Sequence, residues 1–123
     1  MNKRSFLGLT WMLGLLWMKP GHAASTRSVQ AEVDFLLASV EASGCSFYRN
    51  GTWHDSKAAV AHLRDKYDYL VVRNLIATTE DFIERAASKS SISGQVYEVK
   101  CGDGATVESG RWLREKLASL RAS

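Results

Sequence analysis

An α+β fold is what this sequence predicts: about four helices packed with a small antiparallel sheet of two short hairpins, held by one disulfide. Three observations predict it. Apolar residues recur at helical spacing in several separate stretches. Two short runs rich in strand formers fold back through glycine-containing turns. The only two cysteines, Cys45 and Cys101, lie beside the first of these hairpins and at the bend of the second, so a bond between them sets the two β elements side by side.

The first stretch is set aside before any fold is built. Lys3 and Arg4 make a basic start, Phe6 to Met18 is almost wholly apolar, and small residues follow around Ala23 and Ala24. This predicts a secretory signal peptide over residues 1–24, cut after Ala23 or Ala24. The apolar run is shorter than the ~20 residues that span a bilayer, so no membrane span is expected once the leader is gone. Residues 25–123, roughly 100 in number, are expected to form a single small domain with little stability to spare.

Within that domain Thr26 or Ser28 opens the first helix. Val29, Val33, Leu36, Leu37 and Val40 form its apolar stripe, widened by Phe35. Ser43-Gly44 closes it, with Gly44 suited to the left-handed terminal position. Asn50-Gly51 is the preferred pair for a type I′ turn, and Phe47 to Arg49 and Thr52 to His54 flank it as strands. Asp55 caps a second helix, whose Ala59, Val60, Leu63, Tyr67 and Leu70 recur at helical spacing and which runs to about Asn74. Val71, Val72, Leu75 and Ile76 are expected to be buried at its end. Thr78 and Asp81 have the spacing of a capping box for a third helix, with Phe82, Ile83, Ala86 and Ala87 inward. The serine-rich Ser88 to Gly94 closes it; its hydroxyls are expected to satisfy backbone groups. Gln95 to Lys100 and Ala105 to Glu108 form the second hairpin around Gly102-Asp103-Gly104. Ser109 is expected to cap a last helix, Arg111 to Leu120, whose stripe is Trp112, Leu113, Leu117 and Leu120.

Lys and Arg total 16 against 13 Asp and Glu. Lys3, Arg4 and Lys19 all fall in the leader, so the exported part is formally neutral. That gives no reason to expect a nucleic-acid partner. Paired cysteines in an exported chain read as a disulfide, worth roughly 4 kcal/mol by loop entropy; a reactive Cys45 thiol working with His62 is the lesser reading.

The run Ser43-Gly-Cys-x-Phe-x-Arg-Asn-Gly-Thr, then Ala59-x-x-His62-Leu63-Arg64-x-Lys66-Tyr67, resembles the YfeK-like proteins. So do Thr79 to Glu84, Ala87 to Ser91 with Gly94 and Tyr97, Asp103-Gly104 and Trp112-Leu113. The resemblance implies a small single-domain protein of the Gram-negative periplasm, of a family without an assigned activity. One departure is Val96, where the family pattern has proline before the tyrosine.

Chemistry is sparse. His54 and His62 lack the spacing of metal ligands on one helix face, and no metal or cofactor is expected. A hydrolase could be drawn from His62 with Ser90 or Ser91 and an acid, but no nucleophile-elbow motif is present. The candidate binding residues are Arg49, Asn50, His62, Arg64, Ser90 and Ser91. The two arginines could offer forked donors to a carboxylate or phosphate, and Tyr48, Trp53 and Tyr97 flat surface to a sugar or peptide. The plainer reading pairs the arginines with Asp65, Asp68 or Glu80. The sequence leans towards a non-catalytic module for an envelope protein, peptide or glycan. The competing readings are a small envelope hydrolase and an inhibitor or immunity-type protein acting through the Arg49–Trp53 tip.

Overall fold

The computed structural model describes residues 27–123, which form helices α1 (Val29–Ser43), α2 (Ser56–Val71), α3 (Thr79–Ala86) and α4 (Ser109–Ala122). Strands β1 (Ser46–Arg49), β2 (Thr52–His54), β3 (Glu98–Lys100) and β4 (Val107–Glu108) make one antiparallel sheet in the order β2-β1-β3-β4. The α+β architecture is the one the sequence predicts; the leader expected over 1–24 lies outside the described residues.

Local chemistry sets most boundaries. The Ser28 hydroxyl accepts from the Ala31 amide to start α1, and Gly44 closes it at φ 66°. Asp55 accepts from the Ala58 amide at the start of α2. Thr78 and Asp81 form the reciprocal capping box of α3. Asn50 and Gly51 both take positive φ, 50° and 87°, as the tight turn between β1 and β2 requires.

α1 packs against all three other helices. Its Val33, Leu36, Leu37 and Val40 meet Phe82 and Ile83 of α3 and Leu113 and Leu117 of α4 in the core, all of them buried. The sheet lies beside this core. Phe47 and Val99, paired across β1 and β3, are the buried residues of its inner face, and Phe47 meets Trp112 of α4 edge-on at 5.9 Å. The disulfide Cys45–Cys101 lies just beyond the Ser46–Lys100 pair that ends the β1–β3 ladder.

Four expectations are corrected. α2 ends at Val71, and Val71, Val72 and Leu75 are exposed, Val72 at 74%. Val71 and Val72 stand about 100° and 200° around the helix from Leu70, away from the buried stripe, and Leu75 lies past the turn in which Asn74 takes φ 57°. The strand expected over Gln95 to Lys100 is only Glu98–Lys100, with Val96 in an isolated bridge to Lys89. There Tyr97 is buried and Val96 exposed, because the Tyr97 amide is drawn to the Ser88 carbonyl. The return strand shrinks from Ala105–Glu108 to Val107–Glu108. Ser109 does not cap α4: it is the first helical residue, buried, with its amide on the Tyr97 carbonyl, and Glu108 holds the cap position without a side-chain bond.

One ion-pair cluster fastens the last helix. Glu32 on α1 is 6% exposed and accepts from Arg121 at 3.0 and 2.8 Å and from the Thr79 hydroxyl at 2.6 Å. Arg121 also reaches Glu80 at 2.6 Å. The Arg121 hydrogen bonds hold the Glu32 carboxyl near pKa 2, below its usual 4.5, against the opposing effect of burial.

Two predictions follow from these two fasteners. Replacing both Cys45 and Cys101 with alanine should lower stability by up to about 4 kcal/mol, read as the shift in urea unfolding; an unchanged midpoint would mean that the closed loop constrains nothing. Glu32 binds its proton less readily folded than unfolded. Its contribution is therefore whole above pH 4.5 and lost as pH falls through about 2. Arg121→Ala should cost about 2 kcal/mol at pH 7, between the values for exposed and buried pairs, and flatten the acid limb of the stability curve.

Candidate functional site

His62 and Lys66 are one helical turn apart on α2 and so share a face. Both meet the hydroxyl of Tyr97, His62 Nε2 at 3.2 Å and Lys66 Nζ at 3.3 Å. Tyr97 is 6% exposed and is fixed through its backbone: its amide donates to the Ser88 carbonyl and its carbonyl accepts from Ser109. The rings of His62 and Tyr97 meet edge-on at 5.9 Å. Lys66 Nζ also donates to the Lys89 carbonyl at 3.3 Å, joining α2 to the serine loop.

Arg49 ends β1 on the inner side of the sheet, the side of buried Phe47. Its charge reaches the whole group. Burial, then the Arg49 and Lys66 charges, hold the His62 pKa down to about 4 from its usual 6.5; Asp65 opposes this. Burial and then Arg49 lower the Lys66 pKa. Burial raises that of Tyr97, with Arg49 opposing. At neutral pH the imidazole is uncharged and the phenol protonated. Lys66 donates to the phenol oxygen, and the phenol O–H can donate to Nε2. Among the described residues Arg49 makes no ion pair.

Around this group the surface is hollowed. A cavity of about 30 Å³, space for a water, is bounded by Arg49, His54, His62 and Tyr97 among others. His62 also borders an open groove of about 310 Å³, lined with it by Asp65, Lys66, Tyr69, Leu70 and Ser91. It shares Leu70 and Ser91 with a hollow of about 690 Å³ along the serine loop.

The structure brings Arg49, His62 and Ser91 to this region and holds Asn50 at its edge, where the Asn50 Oδ1 accepts from the Ser93 hydroxyl at 2.8 Å. Arg64 stands apart. It is two residues from His62, on another face of α2, and lies 3.7 Å from Asp34 of α1, a partner the sequence reading did not name. Ser90 is buried, and its hydroxyl accepts from the Ile92 and Ser93 amides, so it shapes the loop. No serine hydroxyl is hydrogen-bonded to His62 among the described residues; its partner is Tyr97. Tyr48 and Trp53 pair at 5.2 Å on the face of the sheet opposite Phe47. Among the described residues no three His, Cys, Asp or Glu side chains are placed to hold a metal.

Lys66 is the site residue that sequence reasoning left out. Its four-residue spacing from His62 was the available signal; Tyr97, noted only as flat surface, has a hydroxyl that joins the two.

A family model described as a family of unknown function, DUF5329, matches residues 27–121. The uncharacterized protein YfeK of Salmonella typhimurium is 38% identical over 87 residues, covering 70% of this chain and 71% of that protein. No solved structure matches the chain.

A pH titration followed by NMR should place the His62 midpoint near 4, and Arg49→Ala should move it up by removing a repelling charge. Because folded His62 binds its proton less readily than the unfolded residue, it should withdraw stability as pH falls from 6.5 through 4. A midpoint at the usual 6.5 would show that the group is not desolvated.

Proposed function

The chain belongs to the DUF5329 family of unknown function, and for it we propose a binding role without catalysis: recognition of an anionic group, carboxylate or phosphate, on a peptide, protein or glycan of the cell envelope. The observation that carries this reading is the uncompensated charge. Arg49 and Lys66 act on the same polar nook, each without an acid partner among the described residues. Cations brought together in a half-buried place repel one another, and an anion between them relieves the repulsion. Tyr97 adds a polarised hydroxyl and neutral His62 a ring nitrogen that adds no further charge.

The state of the groups supports binding over turnover. Burial raises the Tyr97 pKa and lowers that of His62 to about 4, so the phenol holds its proton and the imidazole is a weak base for removing it. A periplasmic setting is supported by the leader-like start of the chain and by the disulfide, which persists in oxidising compartments. No helix among the described residues is long and apolar enough to cross a membrane.

Titrating the purified protein with glutarate, and separately with inorganic phosphate, should move the NMR signals of His62, Lys66 and Tyr97 together. Arg49→Ala and Lys66→Gln should each weaken the response by about tenfold, the size of a charge-assisted hydrogen bond. A response that survives both substitutions at full strength would show that the anion binds elsewhere.

A further inference from the structure

Beyond the anion site and independent of it, we infer a second contact surface: the outer face of the sheet receives an arginine side chain of a protein partner. Strand pairing puts four residues in one line across that face. Trp53 of β2 lies opposite Tyr48 of β1, Tyr48 opposite Glu98 of β3, and Glu98 opposite Glu108 of β4. Residues directly opposite in an antiparallel ladder share a side of the sheet. Their chain neighbours Phe47, Val99 and Val107 take the other side and pack into the core. On the outer side Ser46, Trp53, Lys100 and Glu108 are exposed, Trp53 at 44%.

Charge complementarity selects the occupant. Two glutamates directly opposite one another repel. Neither makes an ion pair among the described residues, and the Glu108 carboxylate leaves the first amides of α4 uncapped. Lys100, on the same face, stands opposite Ser46 and pairs with neither glutamate. A cation brought from outside relieves the repulsion, and the aromatic half of the line says which kind. The Tyr48 and Trp53 rings stand 5.2 Å apart with their planes at 58°. A guanidinium is planar, donates in a fork to carboxylates and stacks on aromatic rings. Set against Glu98, it has Tyr48 on one flank and Glu108 on the other, each one strand spacing of about 4.8 Å away. A divalent metal ion would use the carboxylates and leave the rings idle. None of the three hollows described above takes in Trp53, Glu98 or Glu108. Small molecules are held in enclosing hollows, whereas an open face is met by another protein, and aromatic residues and arginine are enriched at such contacts.

The experiment titrates the purified protein with four probes: acetyl-Gly-Arg-Gly amide, the same peptide with lysine, the same peptide with citrulline, and calcium chloride. Binding is read from the backbone NMR signals of Tyr48, Glu98 and Glu108. The arginine peptide should bind about tenfold more tightly than its uncharged citrulline counterpart, and more tightly than the lysine peptide. Glu98→Gln should weaken the arginine peptide about tenfold, and Trp53→Ala about threefold. Glu98→Gln removes a like-charge pair, so it tests the contact without threatening the fold. No response to the arginine peptide, equal binding of the citrulline or lysine peptide, or full-strength binding to either variant would each overturn the inference. So would calcium moving the same signals at lower concentration than the arginine peptide, which would make the glutamates a metal site. Glutarate should leave these signals still, so the fate of the anion site does not decide this one.

Discussion

The bond between Cys45 and Cys101 sits one residue outside the Ser46–Lys100 pair and joins positions 56 apart in sequence. Between them lie the first hairpin, α2, α3 and the serine loop. Loop closure over that distance is a large entropic term for so small a domain, and the bond removes it from the folding reaction. It also holds a register. With β1 held beside β3, Phe47 pairs with Val99 on the core side. Tyr97, two residues before Val99, is then presented on the same side, where its hydroxyl meets His62 and Lys66. A slip of one residue would turn Tyr97 outward and dissolve the site together with the core face.

A second fastener works on the far side of the core. Glu32 belongs to the first helix and Arg121 to the last, and Thr79 and Glu80 of α3 complete the group. The carboxylate is buried, but it is fully served by a two-nitrogen arginine contact and a hydroxyl, which offsets the cost of desolvating it. The disulfide holds the sheet to itself, and the Glu32 group holds the helices to one another. Between these two fasteners the region around His62 adds hydrogen bonds of its own, from Lys66 to the Lys89 carbonyl and between His62 and Tyr97.

What could be read from the sequence was what depends on neighbours in the chain. Caps at Ser28, Asp55 and Thr78, the Asn50-Gly51 turn and the Gly44 ending each need only a few consecutive residues, and each is present. The disulfide was legible because only one pairing existed. The misses are matters of direction and distance. Val71 and Val72 are hydrophobic, yet rotation along α2 turns them outward. Arg64 found Asp34, an acid on another helix. Lys66 looked like any surface lysine until Tyr97, 31 residues away in sequence, was placed against it. Periodicity says which face a residue is on; it does not say what will stand opposite.

The proposed role draws on the residues that gain least from the fold. A domain that minimised its own energy would place an acid beside Arg49 and Lys66, as it does beside Arg121. Instead burial, and after it the Arg49 charge, lowers the pKa of both His62 and Lys66, so the folded state carries a repulsion that no ion pair of Arg49 or Lys66 relieves among the described residues. The exposed Tyr69 and Ile92 beside the groove add apolar surface left facing water. The charge gathers where Arg49, His62 and Tyr97 bound the small cavity, and the apolar surface lies along the neighbouring groove and the serine loop.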